Sequence, residues 1–290
     1  MVALSRSELD YIEGGVKHDL RSDGRGRYHF RNLSIQVGII PQANGSARVR
    51  LGGTDLIVSV KAELGSPRSC RPNYGSIEVM VECSATAGPE FEGRGGEDLN
   101  MELSRALQRC FVGGPSGAGA AIDLSTLGIV ASKFCWELFV DCLVVNSDGN
   151  LLDALSIGVK AALSNTGIPS VKVTGNTASE DDADLEVGDN PDEFARLDAS
   201  KVPLIITLTK IGRHYIVDAT PEEEMGMSSA VSVAVNSKGL ILGLTKRGDG
   251  GLDPSVVTDM ISVAKHIARD LIVLVDTEIA AAELRAAENQ

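Results

Sequence analysis

The stretch from Trp136 to Pro169 constrains this chain most, because it reads as strand, tight turn and helix in direct succession. Trp136 to Val145 (WELFVDCLVV) is rich in β-branched and aromatic residues. Its second half is apolar on both faces, which predicts an interior strand. Asn146-Ser147-Asp148-Gly149-Asn150 clusters turn formers. Leu151 to Ser164 then follows a helical period, with Asp153, Ser156, Lys160 and Ser164 as one narrow polar stripe on an otherwise apolar, buried helix. Gly167 and Pro169 are C-terminal stop signals. A turn between an interior strand and a buried helix aims the first helical N–H groups outward, so it is a candidate anion cradle.

Strands and helices alternate around this unit. The spacing predicts a helix over Ser7 to Leu20 and a loop carrying Arg21, Arg25 and Arg27. Strands are expected at Leu33 to Ile40, Ala47 to Leu51, Leu56 to Ala62 and Ile77 to Ala85. Pro89 to Gly96 is expected to be a flexible polar loop leading into a helix over Glu97 to Phe111, and Gly113 to Ala121 another loop. A short strand follows at Val171 to Val173. The second half has strands at Val202 to Lys210, His214 to Ala219, Ser228 to Val235 and Leu240 to Thr245, with a loop over Thr220 to Met227. Asp253-Pro254 opens a long helix. The organisation is an N-terminal helix and arm (1–30), a first half (31–170), an acidic linker (171–200) and a second half with a long C-terminal helix (201–290). The fold class is α+β: two βα halves with helices packed on mixed sheets.

Charge bears on partners. The chain of 290 residues carries a net −13, but Glu180 to Glu193 holds eight acids and no Lys or Arg, leaving −5 for the rest. A basic surface elsewhere is therefore compatible with the total. Cys70, Cys83, Cys110, Cys135 and Cys142 form no CxxC, and His18, His29, His214 and His266 lack ligand spacing. No cofactor and no metal are expected. No apolar run reaches the ~18 residues of a membrane span, and the N-terminus lacks a signal-peptide pattern, so a reduced intracellular protein with no membrane partner is expected.

Four co-linear motifs carry a resemblance. They are Asp23-Gly24-Arg25; Gly45-Ser46-Ala47 running into Gly53-Thr54-Asp55; Glu90-Phe91-Glu92-Gly93-Arg94-Gly95-Gly96; and Asp148-Gly149 ahead of the buried helix. Over roughly residues 5 to 275 the chain resembles the RNase PH family, and within it the non-catalytic ring subunits of the RNA exosome. The resemblance implies the RNase PH fold. Its implied partners are other RNase PH-like ring subunits, RNA-binding cap subunits, hydrolytic exosome nucleases and RNA, in the nucleus, nucleolus and cytoplasm.

Active members of the family cleave RNA from the 3′ end with inorganic phosphate, and their turn carries a Gly-Thr-Arg or Gly-Ser-Arg run that binds it. Here Asn150, Leu151 and Leu152 occupy those three positions, offering neither hydroxyl nor guanidinium. Active members also carry two Asp six residues apart, and alignment on Val217-Asp218 places these at Glu224 and Ala230. The resemblance thus implies a degenerate phosphate site and a degenerate acid pair. The alternative is an active phosphate-dependent 3′-to-5′ exoribonuclease whose site a neighbouring subunit completes.

Arg105 and Arg109 lie one helical turn apart and match positions that line the RNA path in the family; Arg94 lies near a family arginine that binds phosphate or RNA. Each has a plain alternative. Arg105 and Arg109 fit a solvated stripe with Glu102 paired to Arg105, and Arg94 fits a loop for subunit contact. Arg48 and Arg50 read as the solvent face of a strand. Asp218 with Glu222 to Glu224 reads as a solvated acidic loop or a vestigial metal site.

Overall fold

The strand–turn–helix forms where the pattern places it, and the two halves assemble around it. The computed structural model describes residues 4–112, 121–174, 184–188, 190 and 193–288. In chain order, α1 (Arg6–Lys17) precedes β1 (Leu33–Val37), β2 (Gly45–Leu51), β3 (Thr54–Gly65) and β4 (Ser76–Cys83). Next come α2 (Arg94–Val112), β5 (Gly128–Val130), β6 (Phe134–Asn146) and α3 (Leu151–Ser164). Short strands β7 (Gly167–Ile168), β8 (Val171–Thr174), β9 (Asp184–Val187) and β10 (Ala195–Arg196) lead to β11 (Leu204–Ile211) and β12 (His214–Val217). The chain closes with α4 (Pro221–Met225), β13 (Ser229–Val235), β14 (Ile241–Arg247) and α5 (Pro254–Glu288).

The first sheet has the order β1-β2-β3-β6-β4, with β5 also on β6. It is mixed, because β4 runs parallel to β6 while β3 pairs with β6 antiparallel. The second sheet, β12-β11-β13-β14, is antiparallel throughout. This is the α+β arrangement of two strand-and-helix halves that the sequence predicts. β6 is interior, but only one face is covered: Trp136, Leu138, Val140, Cys142 and Val144 are buried, while Asp141 and Leu143 are exposed. On β4, Met80 is exposed on the same bare face.

α3 is enclosed along residues 152–163, and its polar stripe faces protein rather than water. Asp153 accepts from Thr207 N at 2.9 Å and Thr207 Oγ1 at 2.6 Å. Ser156 Oγ accepts from Ile205 N at 3.0 Å, and Lys160 Nζ lies 2.7 Å from Asp276 Oδ1 on α5. A buried polar group needs a partner, so the stripe fixes how the second sheet sits on the helix. On the opposite side α3 approaches β3 closely: a Cβ on Gly158 would stand 2.6 Å from Leu56 Cδ1 and 2.8 Å from Val58 Cγ2. Gly158→Val is therefore expected to cost about 1–3 kcal/mol through overpacking, read as a lower melting temperature.

Several local expectations are corrected. Residues 220–227 are not a loop: Thr220 and Glu223 form a capping box that starts α4. Residues 89–96 are not a flexible loop, since Pro89–Phe91 is a 3-10 turn and α2 already begins at Arg94. The join is tight because Gly96 lies against the Phe91 carbonyl, where a Cβ would come within 2.2 Å. The segment 171–200 contains structure: β8 pairs with β9 and β10 with β7. Glu180, Asp181, Asp182, Asp189 and Asp192 of the acidic run lie outside the described residues, as do 113–120 of the glycine-rich loop. Arg48 and Arg50 do occupy a strand's outer face, where both pair with Asp55 across the β2–β3 hairpin, at 2.7 and 3.1 Å. Among the described residues, no helix is long and apolar enough to cross a membrane.

Candidate functional site

The turn between β6 and α3 requires left-handed backbone. Gly149 has φ +79° and Asn150 φ +52°. A Cβ on Gly149 would lie 2.6 Å from the Ala219 carbonyl oxygen, so only glycine lets the turn sit against the second half. Asn150, also left-handed, ends the turn as the N-cap residue of α3 but makes no side-chain cap. Its Nδ2 instead donates to Asp153 Oδ2 at 3.1 Å and to Asp218 Oδ1 at 3.0 Å.

Asp218 is the hub of this region. It is fully buried and adopts φ +48° after β12. Its Oδ2 accepts from Arg31 N at 2.8 Å, Arg31 Nε at 3.0 Å and Arg25 Nη1 at 2.9 Å. Its Oδ1 accepts from Arg31 Nη2 at 2.8 Å. Arg31 continues to the turn, donating from Nη1 to Asp148 Oδ2 at 2.9 Å. Burial would raise the Asp218 carboxyl, but the Arg31 guanidinium overrides it and holds the group below the usual carboxylate range. Arg21, also buried, donates to the Val217 and Asp218 carbonyls and pairs with Glu223. The arm at 21–31 therefore ties the turn to the second half by three arginines.

These pairings correct the reading of Asp218 and Glu222 to Glu224. Asp218 and Glu223 are buried and engaged by arginine, so the segment is not a solvated acidic loop. The Asp218 lone pairs are occupied by N–H donors. Among the described residues, no group of three or more His, Cys, Asp and Glu side chains could hold a metal ion. Cys83 and Cys110 are pushed up by burial to about 11, leaving no thiolate there at neutral pH.

The motif residues separate. Leu152 is in the core and Leu151 is half-buried against it. Glu224, on α4, comes to the turn: its Oε1 accepts from Asn150 N at 3.1 Å. Burial pushes this carboxyl up, opposed by Arg247 and by the Asn150 N–H. Ala230 is buried on β13 opposite Arg247 on β14 and offers only a methyl group. Arg94, Arg105 and Arg109 are exposed on α2. Arg105 and Arg109 share one shallow depression with Asp98, Met101, Glu102 and Gln108, and among the described residues Glu102 forms no ion pair with Arg105.

Residues 29–169 match the 3′ exoribonuclease family (RNase PH), domain 1, and residues 201–267 match its domain 2. The chain belongs to the RNase PH family. It is 36% identical to the putative exosome complex exonuclease RRP42 of Dictyostelium discoideum, over 95% of this chain and 98% of that protein. It is 34% identical to the exosome complex component Rrp42 of Methanothermobacter thermautotrophicus, over 90% and 91%. Among solved structures, an RNA-bound exosome from Archaeoglobus fulgidus contains a chain 30% identical, with a TM-score of 0.74 over 91% of this chain and 96% of that one. An archaeal exosome core gives 0.75 at 28% identity, over 93% and 96%.

Both RNase PH domains contribute to the turn region: Arg31 and Asn150 from the first, Asp218 and Glu224 from the second. The sequence reading singled out Glu224 but missed Arg21, Arg31 and the role of Asp218 as a hub. A charged pair separated by 187 residues, as Arg31 and Asp218 are, has no periodic signature. The available signal was an arginine-dense arm in an acidic chain.

Proposed function

We propose that this chain is a non-catalytic ring subunit of an RNA exosome. It would support 3′-to-5′ RNA processing by other subunits and offer part of a basic RNA path. The observation that carries the reading is the β6–α3 turn. Its groups are engaged by the chain's own Glu224, Asp218 and Arg31, and a buried alanine stands where an acid is needed. Likeness to exosome Rrp42 proteins over nearly the whole chain supports the assembly. The bare face of the first sheet, with Met80 and Leu143 exposed, supports burial against a neighbour. Cap subunits and hydrolytic nucleases would join through the ring, in nucleus, nucleolus and cytoplasm.

Arg105, Arg109 and Arg94 are the proposed RNA contacts, acting on phosphates without reading sequence. In the reconstituted ring, Arg105→Glu with Arg109→Glu is expected to lower RNA cross-linking to this chain about tenfold and to reduce the salt dependence of binding. Unchanged cross-linking rejects the RNA role of this helix.

A second reading, an active phosphorolytic enzyme completed by a neighbour, is favoured by the word exonuclease in the name of the Dictyostelium relative. Incubation with RNA and phosphate, alone and in the ring, separates the two. Nucleoside diphosphate release that disappears with Glu224→Ala would establish the second.

A further inference from the structure

The start of α3 is an anion site by construction. Two consecutive left-handed residues, Gly149 and Asn150, lead into a 14-residue helix whose positive end faces the turn. No side chain caps it, and among the described residues no acceptor meets the main-chain N–H groups of Leu151, Leu152 or Asp153. Two further polar atoms in this region are buried and unpartnered: Arg247 Nε, a donor that suits an anion, and Asn150 Oδ1, an acceptor that suits a water or a protonated oxygen. Helix ends enclosed in this state ordinarily hold a ligand or water.

One anionic group is already there. Glu224 reaches across from α4 so that its Oε1 takes the Asn150 N–H at 3.1 Å, and Arg247 and Arg31 both attract its charge. The carboxylate thus stands at the mouth of the helix on the N–H of its N-cap residue, with the charges of Arg247 and Arg31 acting on it. α4 is held in place for this, because Glu223 beside it is locked by Arg21 and by the Thr220 capping box.

We infer that Glu224 is an internal anion that closes the β6–α3 turn, so the chain excludes free phosphate by occupying the site with its own side chain. The inference deepens the non-catalytic reading and rests on it. Loss of hydroxyl and guanidinium at 150–152 weakens the cradle; the Glu224 carboxylate shuts what remains. Charge repulsion and direct overlap both act against a phosphate while Glu224 is in place.

The test is titration of the full-length chain with inorganic phosphate, followed by calorimetry and by phosphorus NMR. Wild type is expected to show no saturable binding. Glu224→Ala is expected to take up one phosphate at least about tenfold more tightly than wild type, and adding Arg247→Met is expected to reverse that gain. Glu224→Ser carries the same expectation and replaces the alanine variant if that one does not fold. Three results would overturn the inference: folded Glu224→Ala and Glu224→Ser proteins that bind phosphate no better than wild type, a wild-type chain that binds phosphate equally well, or a gain that survives Arg247→Met. Failure here is separable from failure of the non-catalytic reading, which falls only on phosphorolysis by the wild-type chain.

Discussion

Asp218→Ala is expected to destabilise the protein by about 3–5 kcal/mol, because it strands buried charge rather than merely removing a contact. The side chain accepts from Arg25, Arg31 and Asn150 together, and its carboxylate is fully buried. Its removal leaves the Arg31 guanidinium ion-paired with Asp148, which is itself partly exposed. Arg25 retains Asp23 at the surface. Urea unfolding with an unchanged m-value would locate the loss in the folded state. A loss under 1 kcal/mol would show that the hub is redundant. The pH dependence has a definite sign. The folded Asp218 carboxyl lies below its usual value of 3.8, so its contribution is complete above that value and disappears as pH falls through the lower, folded one. The variant should therefore lose part of the wild type's acid-induced destabilisation.

Asp153 should act with the opposite sign. Desolvation raises its carboxyl from 3.8 to about 7, and the hydrogen bonds from Thr207 and Asn150 only partly offset this. The folded protein then binds a proton more tightly than the unfolded chain does. Stability from this group is full below the unfolded value, falls as pH rises through the window between 3.8 and about 7, and is level above it. Between pH 5 and pH 8 the change is expected to be about 2–3 kcal/mol, at 1.36 kcal/mol per unit across the titrating part. Asp153→Asn is silent in this window, so the difference between the two unfolding profiles isolates the group from Glu224, which is also raised. Parallel profiles for wild type and Asp153→Asn would reject the assignment.

The two groups lie at one junction, and Asn150 donates to both. This shared donor links the two RNase PH domains. The turn, the arm and the β11–β12 end share a polar network that neither half completes alone. It explains why the polar stripe on α3 is conspicuous in the sequence without being a surface. Asp153 and Ser156 accept hydrogen bonds from the second half, and Lys160 forms an ion pair with Asp276 on α5.

Periodicity made much of the fold legible. α3 matched to the residue because an Ala/Leu-rich run bounded by turn formers has few alternatives, and β2 and β3 followed from strict alternation around Gly52-Gly53. Misreadings came where local composition is polar. Thr220 to Met227 has the composition of a loop yet its capping box starts α4, and the helix carrying Arg94 begins before Gly95-Gly96. The long helix that Asp253-Pro254 opens runs from Pro254 to Glu288.

The sequence by itself determined the main strands and helices, the interior strand feeding a buried helix, and the side-chain types at residues 150–152 and 230. These depend on local spacing and on side-chain type, both carried by neighbouring letters. Only the tertiary structure decided what meets the β6–α3 turn. Glu224 meets Asn150 across 74 residues and Asp218 meets Arg31 across 187. Such pairings follow from burial, since a charge removed from water must find a partner wherever the fold brings one within reach.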